Sequence, residues 1–100
     1  AVEQVRVFHA SDVVLTVGAI NGQTGVTNYL VEEAEISRAM LSHARTVTIL
    51  ADSSKVGRTA LFEVCPLDRI DRLVTECEPE GAFGSALREA NVDVVIAAEN

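Results

Sequence analysis

Apolar residues form four short and nearly continuous runs along the chain, and each run is rich in β-branched side chains. The runs span residues 12–18, 46–52, 72–77 and 92–98. Continuous apolar character over so few residues is typical of strands that are covered on both faces, as in parallel sheets. We therefore predict four buried strands that lie side by side in one sheet.

Two helical patterns separate these strands. Residues 28–45 carry apolar side chains at helical spacing, with glutamates early and basic residues late, which suits the helix dipole. Residues 79–91 repeat the pattern between Pro79, which suits a first helical position, and Asn91, which suits a stop. Both segments are predicted to be helices.

Two shorter helices complete the predicted order of elements. One is expected after Gly57 and ends before Pro66, and the other covers residues 1–10. Strand and helix then alternate along a chain of 100 residues, of which 48% are hydrophobic. This pattern predicts a single domain of the α/β class, Rossmann-like, with a parallel sheet of about four strands and helices on both faces.

Charge narrows the range of partners. With 8 basic and 15 acidic residues, the formal net charge is −7, which repels a phosphate backbone and argues against nucleic-acid binding by this chain alone. No apolar run is long enough to span a bilayer, and residues 1–10 lack the basic start and apolar centre of a signal peptide. We expect a cytoplasmic protein that does not contact a membrane.

The cysteines and histidines form no recognisable metal or redox motif. Cys65 and Cys77 make neither a C-x-x-C pair nor a zinc pattern with His9 and His43. We expect two buried and reduced thiols, with a disulfide or a metal role as the alternative. His43 is expected in the last turn of a helix, where positive charge is favoured. No cofactor and no metal are expected.

Two polar loops follow the first and second strands, at the sheet edge where ligands bind in parallel α/β proteins. Residues 18–28 combine glycines with amide and hydroxyl side chains, which suits the binding of a polyol. The alternative is a turn in which Thr27 or Asn28 caps the following helix. Glu33 or Glu35 on that helix is either solvated or directed toward this loop.

The second loop, residues 52–58, contains the candidate anion ligand. We expect Ser53 or Ser54 to cap a short helix here. Lys55 near the start of that helix is unfavourable for the helix dipole, and a lysine in this place suits the binding of a phosphate or carboxylate ligand. The alternative is an ordinary surface lysine. Asp52 either accepts a proton or holds a cation, or it caps the next turn, and Asp12 is expected to be structural. These residues assemble no nucleophile with a base.

Three segments together resemble one known family. They are GVTNYLVEEAEISRAM at residues 25–40, VTILADSSKVGRTALFEVCPLDRIDRLVTE at residues 47–76, and ALREANVDVVIAA at residues 86–98. As a joint pattern they resemble the carboxyl-terminal domain of the DeoR family of bacterial transcriptional regulators. Glu76 stands where that family usually has an aspartate.

The resemblance implies a domain similar in fold to sugar-phosphate isomerases and coenzyme A transferases. Such a domain is expected to bind a phosphorylated sugar or a related metabolite, to form homo-oligomers, and to adjust the DNA affinity of an amino-terminal helix-turn-helix. Carried over by position, Lys55 would face the effector and two neighbouring segments would support it. The implied effector-binding residues are Gly18, Ala19, Ile20, Asn21, Asp52, Ser53 and Lys55.

Two departures from the related proteins shape the functional prediction. The deaminase-like enzymes carry Asp-Gly-His where this chain reads Asn21-Gly22-Gln23, and neither amide replaces a general base or an imidazole. The DNA-binding domain and the first strand with its phosphate loop are not among these 100 residues. We therefore expect a truncated sensor domain, which reaches DNA only through a missing amino-terminal domain. An enzyme of the isomerase, deaminase or lactonase type is the alternative, and an inert fragment is a third.

Overall fold

The structure is a computed structural model, and it describes residues 12–97. Within these residues seven strands form two sheets, two α-helices pack with them, and two 3₁₀ turns lie at Ser53–Lys55 and Leu67–Arg69. The helices are α1 (Val31–Leu41) and α2 (Gly81–Glu89). The strands are β1 (Asp12–Thr16), β2 (Ala19–Asn21), β3 (Gly25–Asn28), β4 (Thr46–Leu50), β5 (Phe62–Cys65), β6 (Arg72–Thr75) and β7 (Asp93–Ile96).

The larger sheet contains the four predicted strands in the order β1-β4-β6-β7, and every neighbouring pair is parallel. Leu15 pairs with Ile49, and Ile49 pairs with Leu73, so that their buried side chains share one face. The predicted α/β class and parallel sheet are confirmed. The helix predicted over residues 1–10 lies outside the described residues.

A smaller antiparallel sheet with the order β2-β3-β5 was not predicted. Residues 18–28 form a β-hairpin, and the predicted helix after Gly57 is wrong because its second half is β5, which pairs with β3. Gly25 explains how closely these strands approach, since its φ is +74° and a Cβ there would lie 2.3 Å from the carbonyl oxygen of Cys65. Only glycine fits this position.

The core lies between the two sheets and the helices. Its largest fully buried side chains come from both sheets and from α2. The outer strands β1 and β7 depart from the prediction that all four strands are covered on both faces, because alternate residues of β1 are exposed and β7 is mostly exposed. The largest buried apolar side chains are Ile20, Val26, Val47, Ile49, Leu73 and Leu87.

Helix α1, Val31–Leu41, is shorter at both ends than the predicted 28–45, since Asn28 is the last residue of β3 and Ser42 is the C-cap. Its N-cap is Leu30 without a side-chain hydrogen bond, so the predicted cap by Thr27 or Asn28 is wrong. Its carboxyl end is held by Arg69, whose guanidinium donates to the carbonyl oxygens of Leu41 at 2.7 Å and Ala44 at 3.1 Å. His43 lies beyond the last helical residue. Helix α2 ends before Asn91, which takes a φ of 61°, so the predicted stop is confirmed.

Two aspartates tie neighbouring parallel strands together at their amino ends. The Asp71 carboxylate accepts a hydrogen bond from the backbone N–H of Val47 at 2.8 Å. Asp12 accepts one from the hydroxyl of Thr46, which confirms its structural role. Asp71, which directly precedes β6, therefore helps to pair β6 with β4.

Both cysteines are free thiols, but only one is buried. Cys65 lies in the core, where burial raises its pKa to about 11, and Cys77 is exposed. The prediction of a buried thiol is confirmed for Cys65 and wrong for Cys77. Neither helix in the described part of the chain has the length and apolar character needed to cross a membrane.

Candidate functional site

The carboxyl ends of β1, β4 and β6 open onto a cavity of about 650 Å³, here called cavity A. This is the edge at which ligands bind in parallel α/β sheets. Its polar lining comes from the strand ends and from the turn after β4, namely Thr16, Asp52, Ser53, Ser54, Lys55, Thr75 and Glu76.

A second cavity of about 600 Å³, cavity B, lies between β1 and α1. Gly18, Asn28 and Glu33 contribute to its lining, and Lys55 lines both cavities. Glu33 therefore lies beside the first loop, as predicted in one of the two interpretations of the sequence. Glu35 lines neither cavity. Lys55 is half-buried and is the one cation among the described residues that line A or B.

The turn that carries Lys55 is a 3₁₀ helix over Ser53–Lys55. Asp52 is its N-cap and accepts hydrogen bonds from the backbone N–H of Ser54 at 2.9 Å and from the Ser54 hydroxyl. The interpretation of Asp52 as a cap is confirmed, and the predicted capping by Ser53 or Ser54 is wrong because both lie inside the turn. The N–H of Lys55 donates to the carbonyl oxygen of Asp52 at 3.0 Å, which closes the turn.

Glu76 contacts the same turn from the neighbouring strand. Its Oε1 and Oε2 lie 2.9 and 3.2 Å from the backbone nitrogen of Ser53, and Oε2 accepts a hydrogen bond from the Ser53 hydroxyl at 2.7 Å. Thr75 donates to Oε1 at 3.3 Å. The sequence analysis missed Glu76 as a site residue. The signal available was its position directly after a parallel strand.

Both carboxylates of cavity A are stabilised in the ionised form. The pKa of Glu76 is lowered chiefly by the hydrogen bond from the Ser53 side chain. The pKa of Asp52 is lowered chiefly by the hydrogen bond from the Ser54 side chain. Hydrogen bonds to a carboxylate favour its charged form. Cavity A is therefore lined by two anions and one cation.

Of the predicted effector-binding residues in the first loop, only Gly18 lines cavity A or cavity B. Ala19 and Ile20 are fully buried in β2, so their side chains do not face either cavity. The N–H of Gly18 donates to Oδ1 of Asn28 at 2.8 Å, which joins the two ends of the hairpin beside cavity B. Asn28, one of the amides of the predicted polyol-binding loop, lines cavity B.

Asn21 lines neither cavity A nor cavity B, both of which Lys55 lines. The Asn21 amide donates to the carbonyl oxygen of Arg58 at 2.8 Å and to Oγ1 of Thr59 at 2.6 Å. Its Oδ1 accepts from the N–H groups of Gln23 and Thr24. Asn21 lines a third cavity, of about 630 Å³, between the hairpin and α2. Its visible role is to hold the hairpin turn.

Residues 12–97 contain no group of three or more histidine, cysteine or acidic side chains placed to hold a metal ion. The polar side chains that line A and B supply one ammonium group, carboxylates, hydroxyls and an amide. Such groups are suited to form hydrogen bonds with a ligand that carries both a negative charge and hydroxyl groups.

Comparison with known proteins identifies the family. Residues 1–77 match the family model described as the DeoR C terminal sensor domain. The chain belongs to this family. The resemblance found in the sequence is thereby confirmed, and the site just described lies on a DeoR-type sensor domain.

Curated relatives of this DeoR-type chain include transcriptional repressors. The HTH-type transcriptional repressor CsqR of Escherichia coli is 28% identical over 93 residues, which are 93% of this chain and 36% of the relative. The HTH-type transcriptional repressor GlcR of Bacillus subtilis is 30% identical over 95 residues, or 95% and 36% of the two chains. A putative aga operon transcriptional repressor of Escherichia coli O157:H7 is 28% identical over 99 residues, or 99% and 37%. The chain thus spans about a third of the length of these relatives.

Proposed function

We propose that this chain is the effector-sensing part of a transcriptional repressor and that its effector is a phosphorylated sugar or a related anionic metabolite. The observation that carries the proposal is the place of Lys55, half-buried at the carboxyl edge of the sheet and in the lining of both cavities. Membership of the DeoR sensor family supports the sensing role.

The chemistry of the cavities suits the two halves of such an effector. Lys55 offers a point charge for a phosphate or carboxylate group. The hydroxyls of Thr16 and Thr75 and the amide of Asn28, which line the cavities, form neutral hydrogen bonds with sugar hydroxyls. Asp52 and Glu76 accept from hydroxyls and repel a second anion, so they favour a ligand whose charge is confined to one end.

DNA binding would belong to another part of the full-length protein. The formal net charge of −7 disfavours contact between this chain and a phosphate backbone. Effector binding at loops from three neighbouring strands would bias the arrangement of the whole regulator, in the cytoplasm where transcription takes place. Gly18, which lines cavity B, would contribute backbone groups beside the effector.

Substitution of Lys55 tests this proposal directly. In the full-length protein that the gene encodes, Lys55→Glu is expected to weaken binding of sugar phosphates by roughly 1.5 to 3 kcal/mol, because a charge-assisted hydrogen bond is replaced by repulsion. Titration calorimetry with a panel of aldose and amino-sugar phosphates measures the affinities. Arg58→Glu is the matched control, since Arg58 makes the same charge change three residues away and lines neither cavity. Equal affinities for the wild type and Lys55→Glu would remove Lys55 from the site.

We also propose that the domain senses its ligand without converting it. Asn21 and Gln23 stand where the related enzymes carry an acid and an imidazole, and the Asn21 amide is occupied by backbone and hydroxyl partners. Incubation with the same sugar phosphates is expected to give no isomerised, deaminated or hydrolysed product by mass spectrometry or NMR. A turnover rate that Asp52→Asn abolishes would instead favour the enzyme.

A further inference from the structure

Glu76 is the long-range side-chain partner of the turn that carries Lys55. It follows the end of β6, and its carboxylate reaches Ser53 across 23 residues of sequence through both the backbone N–H and the hydroxyl. The Asp52 cap, by contrast, bonds only to Ser54, two residues away. Asp52 therefore shapes the turn, whereas Glu76 fixes the turn to the sheet.

The two ends of this segment are held by backbone hydrogen bonds. The N–H of Ala51 donates to the carbonyl oxygen of Val74 at 3.1 Å, and the N–H of Gly57 donates to that of Ile20 at 2.8 Å. Between these two backbone hydrogen bonds, Glu76 contacts Ser53, and Ser53 and Lys55 belong to the same 3₁₀ turn. A displaced Ser53 would change the direction in which Lys55 leaves the turn.

We propose that Glu76 is a positioning residue, whose carboxylate holds the Ser53–Lys55 turn so that Lys55 is presented between cavities A and B. The role in ligand binding rests on the proposed function, whereas the tether itself does not. The chain's own carboxylates occupy the N–H groups of Ser53 and Ser54. An anionic ligand in cavity A therefore relies on Lys55 and not on the amides of the turn.

The tether depends on an acceptor with two oxygens. Ser53 presents two donors, and an ionised carboxylate is acceptor-only. In Glu76→Gln the negative charge is lost and one oxygen is replaced by an NH₂ group, which cannot accept a hydrogen bond from the Ser53 N–H. In Glu76→Asp both oxygens remain on a side chain that is one methylene shorter. We expect Glu76→Gln to release the turn and Glu76→Asp to restore part of the contact.

Amide hydrogen exchange tests the tether without any ligand. In Glu76→Gln the Ser53 N–H is expected to exchange about tenfold faster or more, because a hydrogen bond to a charged acceptor is lost. Residues of β4 serve as the internal reference for global stability, and Glu78→Gln is the matched control because it makes the same charge change at an exposed position two residues away. Unchanged exchange at Ser53 would overturn the tether.

The position of Lys55 has its own readout because it is the only lysine of the chain. Its ε-methylene protons are expected to give distinct NMR signals in the wild type and in Glu78→Gln, and to average together in Glu76→Gln. Faster exchange at Ser53 with unchanged Lys55 signals would show that Glu76 holds the turn but does not position Lys55, and the proposal would fail.

Ligand affinity separates this proposal from the proposed function. With glucosamine 6-phosphate and glucose 6-phosphate as probes of the full-length protein, Glu76→Gln is expected to weaken binding about threefold to tenfold, and to cause no further loss in a Lys55→Met background, since coupled residues are not additive. An equal loss in both backgrounds would show that Glu76 acts independently of Lys55. If neither probe binds the wild type, these probes count against the proposed function, and the exchange and Lys55 signals still decide the positioning role.

Discussion

Asp52 and Glu76 are exposed carboxylates that accept hydrogen bonds from the residues of the Ser53–Lys55 turn. The folded protein lowers the pKa of Glu76 through Ser53 and that of Asp52 through Ser54. In acid the unfolded chain therefore binds more protons than the folded chain, and stability rises with pH in that range. The contribution of these two carboxylates to the free energy of unfolding is fully present above their pKa values in the unfolded chain. It is lost as the pH falls through their lower pKa values in the folded protein.

This linkage predicts a measurable pH dependence of stability. The free energy of unfolding, measured with urea between about pH 7 and about pH 3, is expected to fall toward acid, where carboxylates take up protons. The double variant Asp52→Asn, Glu76→Gln is expected to show a flatter dependence because it lacks both titrating groups. Glu78→Gln serves as the control and is expected to keep the wild-type slope. A double variant with the wild-type slope would show that these hydrogen bonds do not contribute to folding.

At the scale of elements, the hairpin β2–β3 depends on close contact between Gly25 and the end of β5. Gly57 offers a comparison, because its φ of +83° is also positive but a Cβ there would meet nothing within 4 Å. At Gly25 the added Cβ would lie 2.3 Å from a backbone oxygen. Backbone atoms do not yield as a flexible side chain does.

Comparing alanine substitutions at Gly57 and Gly25 therefore separates the free-energy cost of a left-handed backbone conformation from that of a steric clash. Gly57→Ala is expected to destabilise the fold by about 1–2 kcal/mol, the cost of a left-handed conformation for an L-residue. Gly25→Ala is expected to cost about 3 kcal/mol or more, because overpacking against β5 is added. Denaturant unfolding measures both values. Equal losses would mean that β3 and β5 separate without penalty.

The elements also show which parts of the fold the sequence could predict. The parallel strands were predicted because each is a continuous apolar run. Strand β5 was mistaken for a helix because a short apolar segment fits both periods, and its pairing with β3 decides the outcome. In the site, the Asp52 cap spans two residues and was predictable from local chemistry. The bond between Glu76 and Ser53 joins residues 23 apart, and only the register of β4 and β6 brings them together.

At the scale of the whole molecule, one face of the parallel sheet carries exposed apolar side chains beside polar ones, and two of them, Val14 and Leu50, also line cavities B and A. Val14, Leu50 and Val95 are 56%, 40% and 39% exposed, and the register places all three on the same face as Val74. β1 is also one of the two outer strands of this sheet, and within residues 12–97 no other strand pairs with its free edge. Exposed apolar side chains beside an unpaired edge form a surface suited to association.

We therefore expect the 100-residue chain to self-associate in solution through this face and the edge of β1. Multi-angle light scattering is expected to give a mass above that of the 10.7 kDa chain, and Val14→Lys is expected to shift the protein toward the monomer because a charge would be buried in the contact. Leu61→Lys is the matched control, since Leu61 is 77% exposed and lies outside the parallel sheet. A wild-type chain that remains monomeric would show that this face does not drive self-association. An equal shift in both variants would show that the contact does not depend on Val14 in particular.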